Sequence, residues 1–324
     1  MILIAKFLAG LIMLYLGGEA LVKGAVSLAL KLKISTLVVG MTIVSCATST
    51  PELLVSLGAA IKGHTDITFG NIIGSNIANI ALVLGLAAVL FRLNITSQTK
   101  KISFPFMFLS SLVFGIILYF FNGISFWVGI VFVASLLLFT VLLIRQSRNE
   151  NLKAAVDEDR LLAEKSQSPI YQSVSFLIVG VVLLKFGADY FVDGAIALAK
   201  VFSVSDRVIA VSVIAIGTSI PELATTVIAA LKKEESLAVG NLIGSNIFNI
   251  LAVLGLTAII TDIPLVDQQL LRTDYIFMMT ITLLLGAFIY LFSKNRISNK
   301  EGLIFLGIYI AYLVYTISFK GGIM

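Results

Sequence analysis

Two glutamates lie inside long apolar segments, at matching places in a five-residue motif that occurs twice. The first copy reads Thr-Ser-Thr-Pro-Glu and ends at Glu52, and the second reads Thr-Ser-Ile-Pro-Glu and ends at Glu222. A charged residue at the centre of a membrane span costs about 2.5–3.5 kcal/mol on the insertion scale. Two carboxylates at equivalent apolar positions therefore indicate a function, and the chemistry that they favour is cation binding.

The proline of each motif predicts a break in its helix. Proline has no N–H to donate and clashes with the carbonyl four residues earlier, so Pro51 and Pro221 free backbone carbonyls. Such backbone must lie in protein or beside a cavity, where a cation is a suitable partner. The hydroxyls at each break add neutral oxygens, and the candidate ligands here are Thr48, Ser49, Thr218 and Ser219, with Ser45 and its counterpart Ala215 one turn earlier.

A second motif, Gly-Asn-x-Ile-Gly-Ser-Asn-Ile-x-Asn-Ile, follows each break, at 70–80 and 240–250. Serine and asparagine four residues apart share one helix face, so we interpret Ser75, Asn79, Ser245 and Asn249 as neutral oxygen ligands. Glycines four apart favour close helix packing, and they are Gly70, Gly74, Gly240 and Gly244. The remaining asparagines either bind ions or hold the backbone, and they are Asn71, Asn76, Asn241 and Asn246.

The candidate ligands are all oxygens, which suits a hard cation. Ca²⁺ takes about 6–8 oxygens, and two carboxylates balance one divalent charge. Zn²⁺ or Cu⁺ would need nitrogen or sulfur ligands, but the chain has a single cysteine, Cys46, and a single histidine, His64. We therefore expect no bound cofactor, with Ca²⁺ or another hard cation as the ligand.

The composition places these motifs in a membrane protein. Of the 324 residues, 59% are apolar and 13% charged, against the usual 45–50% and about 25% of soluble domains. These values exclude an ordinary soluble enzyme and a disordered protein, and they argue against a nucleic-acid partner. Apolar runs of about 20 residues, the length that crosses a bilayer, predict an all-α polytopic membrane protein.

Ten candidate spans are separated by polar breaks, and the second and seventh carry the proline motif. They cover 2–30, 36–61, 68–91, 104–121, 124–144, 170–199, 206–231, 237–260, 273–293 and 301–319. A charged stretch at 145–169 divides them, so we predict a first five-helix repeat at 1–144, a linker at 145–169 and a second repeat at 170–324.

The two halves align without a gap at an offset of 170, and 29 of 70 positions from Gly17 to Leu86 are identical to their counterparts. Because five is an odd number, the second repeat would enter the membrane from the opposite side. Inverted repeats of this kind are typical of secondary transporters, with the site near the midplane.

Basic residues predict the orientation. With the N-terminus outside, fifteen Lys and Arg fall in inside loops and six in outside loops. Since basic residues concentrate in cytoplasmic loops, we expect both termini outside, the linker in the cytoplasm and the protein in the plasma membrane. Within the spans, the spacing of four residues fits intrahelical ion pairs for Glu19 with Lys23 and for Lys185 with Asp189.

At its two pairs of motifs the chain resembles the Ca²⁺/cation antiporter superfamily, and especially the prokaryotic Na⁺/Ca²⁺ exchangers. The resemblance implies a carrier, not an enzyme, that exchanges three Na⁺ for one Ca²⁺ and functions as a monomer. It implies Glu52 and Glu222 as central ligands, flanked by the hydroxyls of the two motifs, with Asn79 and Asn249 beside them. The first and sixth spans would slide across a core made of the second, third, seventh and eighth.

Two positions depart from the family pattern. Ala47 replaces the usual glycine before Thr48, which affects the expected affinity, and Asn249 stands where K⁺-dependent relatives carry aspartate. The residues also leave other functions open. A Ca²⁺/H⁺ antiporter could use the same glutamates as proton carriers, because desolvation favours a neutral carboxyl. A passive cation channel or a membrane scaffold is a third interpretation.

Overall fold

The computed structural model describes residues 2–165, 169–201, 217–292 and 296–319, and nearly all of them are helical. The helices are α1 (Ile2–Leu32), α2 (Thr36–Thr48), α3 (Thr50–Ile61), α4 (Thr65–Leu90), α5 (Thr99–Phe121), α6 (Phe126–Lys165), α7 (Ile170–Val201), α8 (Ile220–Leu231), α9 (Glu235–Ile260), α10 (Leu270–Phe292) and α11 (Asn299–Phe319). Four two-residue strands are β1 (Leu93–Asn94), β2 (Gly123–Ile124), β3 (Ile263–Pro264) and β4 (Arg296–Ile297).

Seven of the described helices are long and apolar enough to cross a membrane, or eight if α2 and α3 form one bent span. This is fewer than the ten spans that the apolar runs predict. The predicted seventh span, 206–231, lies partly outside the described residues, and only the 12 residues of α8 represent it. The chain is therefore a helical protein with several apolar spans, as the composition predicts.

The predicted helix breaks lie at Ser49 and Ser219. The axes of α2 and α3 differ by 44° across the first break, and Pro51 stands in the first turn of α3. The backbone of Ser49 has φ −84° and ψ 6°, and that of Ser219 has φ −88° and ψ 3°. The same local structure therefore occurs at both copies of the motif, because Pro221 also opens α8.

The duplication in the sequence is also present in the elements. The bounds of α3 and α4, shifted by 170, are those of α8 and α9. Within α4 a π-helical segment covers Asn79–Leu84, and within α9 it covers Asn249–Leu254. Even these local irregularities follow the offset of 170.

Equivalent helices of the two halves pack antiparallel. In α1, Gly10 lies against Gly187 and Phe191 of α7, whereas Gly24 lies against Ser173 and Leu177. The contacts therefore run in opposite directions along the two helices. A Cβ added at Gly10 would lie 2.5 Å from the Phe191 backbone nitrogen, so glycine permits the close approach.

The two small sheets show that α5 and α10, which are also equivalent helices, run antiparallel to each other. Strand β1 pairs with β4, and β2 pairs with β3, both antiparallel. Helix α5 joins β1 to β2, and α10 joins β3 to β4. Because the pairing is crossed, the start of α5 lies near the end of α10, and these equivalent helices run in opposite directions.

The charged stretch at 145–169 is largely helical in its backbone. Helix α6 begins at Phe126 and continues to Lys165, through most of the predicted linker. In the structure, this stretch therefore continues the helix of the fifth predicted span, whose apolar part ends near residue 144.

Candidate functional site

Two fully buried carboxylates form the centre of the site. Glu52 lies in the first turn of α3 and Glu222 in the first turn of α8, and both are 0% exposed. The N-terminus of a helix stabilises a negative charge, which offsets part of the cost of burial. Ser49, three residues before Glu52, contacts the Glu222 carboxylate, so the two glutamates belong to one region, and a positive charge between them would stabilise both.

Hydroxyls from the opposite half lie beside each carboxylate. Thr218 accompanies Ser75 beside Glu52. Beside Glu222 lie Thr48, Ser49 and Ser245, and the Ser49 hydroxyl donates to Glu222 Oε1 at 3.3 Å. The site is therefore made jointly by both copies of both motifs.

Two further hydroxyl pairs are related by the repeat. Thr48 Oγ1 lies 3.4 Å from Ser245 Oγ, and Ser75 Oγ lies 3.4 Å from Thr218 Oγ1. Shifting Thr48 by 170 gives Thr218, and shifting Ser75 by 170 gives Ser245, so each residue of one pair has its counterpart in the other pair. Such exchanged contacts define a two-fold relation between surfaces, here between the two halves of one chain.

Several buried oxygens at this centre have no hydrogen-bond partner among the described residues. Buried polar atoms usually have one, so these oxygens suit a cation. They are both carboxylate oxygens of Glu52, Oε2 of Glu222, Oγ of Ser219, and the Oδ1 atoms of Asn79 and Asn249. All six belong to residues that the sequence predicts as ligands.

The site residues Asn79 and Asn249 each begin a π-helical segment. A π segment inserts one residue into the turn and is frequent at functional sites. Nothing in the spacing of the motif predicts this irregularity, and a regular helix would give the following residues a different rotation.

Two asparagines whose roles the sequence left open donate hydrogen bonds to the neighbouring helix. Asn71 Nδ2 donates to the Glu52 carbonyl at 3.2 Å and to Ser56 Oγ at 2.9 Å. In the second half, Asn241 Nδ2 donates to Thr226 Oγ1 at 3.2 Å. These contacts hold α4 against α3 and α9 against α8, and α3 and α8 are the helices that carry the glutamates.

The other two asparagines connect the halves near Asn249. Asn249 Nδ2 donates to Asn76 Oδ1 at 3.0 Å, and Asn76 Nδ2 donates to the Asn246 carbonyl at 3.4 Å. Asn246 Nδ2 donates to the Leu242 carbonyl at 2.7 Å. The amide of Asn249 is thereby oriented, while its Oδ1 atom stays unpartnered among the described residues.

Ser45 packs at a close helix contact. Its hydroxyl lies 2.7 Å from the Gly40 carbonyl and 3.0 Å from the Asn241 carbonyl, and a Cβ at Gly244 would collide with it. The predicted close packing is thus present at Gly240 and Gly244. No such close contact occurs at Gly70 and Gly74 within the described residues. Ala215, the counterpart of Ser45, lies outside those residues.

One of the two expected intrahelical ion pairs is present and the other is wrong. Lys185 Nζ lies 2.5 Å from Asp189 Oδ2. Glu19 instead pairs with Lys232, the residue directly after α8, at 2.8 Å, and Lys23 lies over the Phe176 ring, 4.3 Å from its centroid. In the folded structure, Glu19 and Lys23 each contact a residue from a distant part of the chain instead of each other.

The donor set determines which ions the site could hold. Within the described residues no group of three or more His, Cys, Asp or Glu could hold a metal ion. A cation between Glu52 and Glu222 would therefore meet two carboxylates and otherwise hydroxyls, amides and carbonyls. That set is typical of Ca²⁺ and other hard cations.

Comparison with known proteins gives a consistent result over almost the whole chain. Residues 2–145 and 172–318 match the family described as sodium/calcium exchanger protein. The chain is 38% identical over 310 residues to a putative antiporter, CaxA, of Alkalimonas amylolytica, with 94% of this chain and 95% of the relative covered. It is 30% identical to the sodium/calcium exchanger MaX1 of Methanosarcina acetivorans, with 95% and 96% covered.

The fold is also similar to a solved structure of the sodium-calcium exchanger NCX_Mj. The TM-score is 0.80 at 28% sequence identity, with 97% of this chain and 98% of that chain covered. The crystal of that exchanger was soaked with 2.5 mM Na⁺ and 0.1 mM Ca²⁺.

Proposed function

Because the chain belongs to the sodium/calcium exchanger protein family, we propose that it is a secondary active antiporter that exchanges Na⁺ for Ca²⁺ across the membrane. The protein is a multi-pass membrane transporter, as its family and its apolar helices indicate. The observation that carries the proposal is the pair of fully buried carboxylates, Glu52 and Glu222, with unpartnered oxygens among the described residues.

In this proposal Ca²⁺ binds between the two carboxylates. Its two positive charges balance Glu52 and Glu222, and neutral oxygens complete its coordination. Na⁺ uses overlapping oxygens and therefore competes with Ca²⁺. The neutral ligands are the hydroxyls of Thr48, Ser49, Thr218, Ser219, Ser75 and Ser245 with the amides of Asn79 and Asn249, and the Ser45 and Ala215 positions supply backbone oxygens.

Alternating access couples the two ions, since neither can cross unless the occupied site changes the side to which it is open. We propose that three Na⁺ enter for each Ca²⁺ that leaves the cytoplasm, so that each cycle moves one net charge. With two carboxylates, the core holding three Na⁺ would carry a charge of +1. A membrane potential that is negative inside would then favour Ca²⁺ export.

The proposed architecture has ten crossings in two inverted five-helix repeats, 1–144 and 170–324, joined by the linker 145–169. Its support is the antiparallel packing of equivalent helices, α1 with α7 and α5 with α10. The exchanged hydroxyl contacts at the site fit the same two-fold relation. We propose a monomer in the plasma membrane, with both termini outside and the linker in the cytoplasm.

A Ca²⁺/H⁺ antiporter is the second candidate. Its support is Glu52, whose two carboxylate oxygens are buried and have no basic partner among the described residues. Such a carboxyl can carry a proton because burial disfavours its charged form. The many hydroxyl and amide oxygens around the two glutamates favour Na⁺ instead, since protons need no such ligands.

The test is ⁴⁵Ca²⁺ uptake into proteoliposomes loaded with Na⁺ and diluted into Na⁺-free medium. The pH is equal on both sides, and a protonophore is present. Uptake that requires internal Na⁺ supports Na⁺ coupling. Uptake that instead requires a pH gradient, and that the protonophore abolishes, would replace this proposal with the Ca²⁺/H⁺ antiporter. Rapid uptake without any counter-ion would indicate a channel.

A further inference from the structure

A cavity of about 670 Å³ opens beside the site. One wall is the start of α3, the other is one face of α7, and Thr218 and Pro221 lie at its base. We name this cavity the vestibule. Because Thr218 lies beside Glu52, the vestibule extends to the residues that surround the buried carboxylates.

The wall formed by α7 carries charges in a region where a cation would pass. Lys185, Asp189 and Asp193 are spaced by four residues and all line the vestibule, as residues on one helix face do. Lys185 Nζ lies 2.6 Å from Asp189 Oδ1 and 2.5 Å from Oδ2. Asp193 lies 3.8 Å from Lys6 of α1.

Lys185 lines the vestibule together with Thr218. It also lines a smaller cavity, of about 100 Å³, together with Thr48, Pro51 and Pro221. Lys185 therefore borders both the vestibule and a cavity that is lined by Thr48, one of the hydroxyl residues beside Glu222. A lysine on a cation path would oppose entry, unless a carboxylate neutralises it.

We propose that the Lys185–Asp189 ion pair sets the electrostatic potential of the vestibule and thereby the ease with which cations reach the site. Asp189 holds the Lys185 ammonium against the wall and cancels its charge. Asp189 and Lys185 are positioning residues for cation entry and not ligands at the site. The effect of the pair on Ca²⁺ transport rests on the proposed function, whereas its effect on the electrostatic potential of the vestibule does not.

A direct test measures the potential with charged thiol reagents. In a Cys46→Ser background, Val192→Cys places a thiol on the vestibule wall, where Val192 is half-buried. The rates of modification by a cationic and an anionic methanethiosulfonate of similar size are compared in proteoliposomes. The ratio of the two rates reports the local potential and cancels steric effects.

Asp189→Asn should lower the cationic-to-anionic rate ratio by about threefold to tenfold, because one unpaired positive charge is left in the vestibule. Lys185→Gln should raise the ratio by a similar factor, and the double variant should return it close to the parent. High salt should shrink both effects, since salt screens exposed charges. Lys62→Gln, at the exposed end of α3, is the control and should leave the ratio unchanged.

Transport provides the second measurement. Asp189→Asn should raise the KM for Ca²⁺ and Lys185→Gln should lower it, with the maximal rate little changed. Rate ratios that are equal in the parent and all vestibule variants would overturn the inference, even if the parent exchanges Na⁺ for Ca²⁺. Shifted ratios in a parent that shows no Na⁺-dependent uptake would reject the proposed function and uphold the role of the pair in the local potential.

Discussion

The Ser49 hydroxyl donates to Glu222 Oε1 at 3.3 Å, although 173 positions separate the two residues in the chain. Ser49 lies at the break in the first half, and Glu222 lies in the first turn of the helix after the break in the second. Each half thus supplies neutral oxygens to the carboxylate of the other. The cation site that we propose exists only where the two halves meet, and neither repeat could bind an ion in this way alone.

The first prediction concerns the two glutamates. Glu52→Gln or Glu222→Gln keeps the size of the side chain and removes one of two charges that balance Ca²⁺. Removing one partner of a buried charge pair costs about 3–5 kcal/mol, which corresponds to a loss of roughly 100-fold or more. Na⁺-driven ⁴⁵Ca²⁺ uptake should fall below detection in either variant.

The control for this prediction is Glu234→Gln. Glu234 lies in the short connection between α8 and α9, away from the site, where burial raises the pKa of its carboxyl. Transport in this variant should match the parent. Uptake at the parental rate by a folded Glu52→Gln, Glu222→Gln double variant would contradict the assignment of these glutamates as the cation site.

The second prediction concerns the neutral oxygens. Thr48→Val and Thr218→Val keep the side-chain shape and remove one hydroxyl each from the site. Loss of one hydrogen-bonding or ligating hydroxyl costs about 0.5–1.5 kcal/mol, so the apparent affinities for Na⁺ and Ca²⁺ should fall by roughly twofold to tenfold. Initial rates of ⁴⁵Ca²⁺ uptake over a range of Ca²⁺ and Na⁺ concentrations measure this change.

Thr282→Val supplies the matched comparison. Thr282 is buried in α10, and its hydroxyl donates to the Met278 carbonyl of the same helix at 2.7 Å. This variant loses the same atom from a hydroxyl that is not among the candidate ligands, and its affinities should equal those of the parent. Equal losses in all three threonine variants would mean that the effect is general destabilisation and not lost ligands.

The third prediction separates ion binding from transport. A ligand that binds only the folded protein stabilises it by about 2.7 kcal/mol at a concentration of 100 times its Kd. Ca²⁺ should therefore raise the melting temperature of the detergent-solubilised protein, and excess Na⁺ should compete with it. Glu52→Gln and Glu222→Gln should lose the shift, while Glu234→Gln should keep it. A shift of parental size in the two site variants would place the Ca²⁺ elsewhere.

The fourth prediction concerns the contact between α1 and α7. A Cβ added at Gly180 would lie 2.7 Å from the Leu21 backbone nitrogen, so Gly180→Ala must push the two helices apart. Overpacking of this kind typically costs about 1–3 kcal/mol. The melting temperature of the variant in detergent should fall accordingly.

Gly58→Ala tests whether the effect at Gly180 is steric. Gly58 lies inside α3, and an added Cβ would meet no atom within 4 Å. Alanine favours a helix over glycine by about 1 kcal/mol, so this variant should be as stable as the parent or slightly more stable. A loss of stability equal to that of Gly180→Ala would contradict the packing explanation.

The sequence predicted the elements of this protein well because its signals are local. The apolar runs predicted the helices, and both bounds of α1 and the ends of α3 and α5 lie within a few residues of the predicted ones. The breaks at Ser49 and Ser219 follow from Pro51 and Pro221, since proline acts on its own turn. The repeat follows from identity at one fixed offset, and it predicted that the two motifs share one environment.

Other features depend on neighbours that are distant in the chain. The π-helical segments that begin at Asn79 and Asn249 have no signature in residue spacing. Glu19 pairs with Lys232 and not with Lys23, because the approach of α8 offers a closer partner. The glycines at intervals of seven in α1 and α7 are visible in the sequence, but only their antiparallel contact shows that they face each other.

By itself the sequence determined the class of protein, its internal duplication and the oxygen chemistry of its candidate ligands. These follow from composition and from covalent properties of residues such as proline and glutamate. Only the tertiary structure decided that Ser49 contacts Glu222, that Asn71 contacts the backbone of Glu52, and that Lys185 and Thr218 line the same cavity. Side chains far apart in the chain meet only through helix packing, and no local pattern specifies which of them will touch.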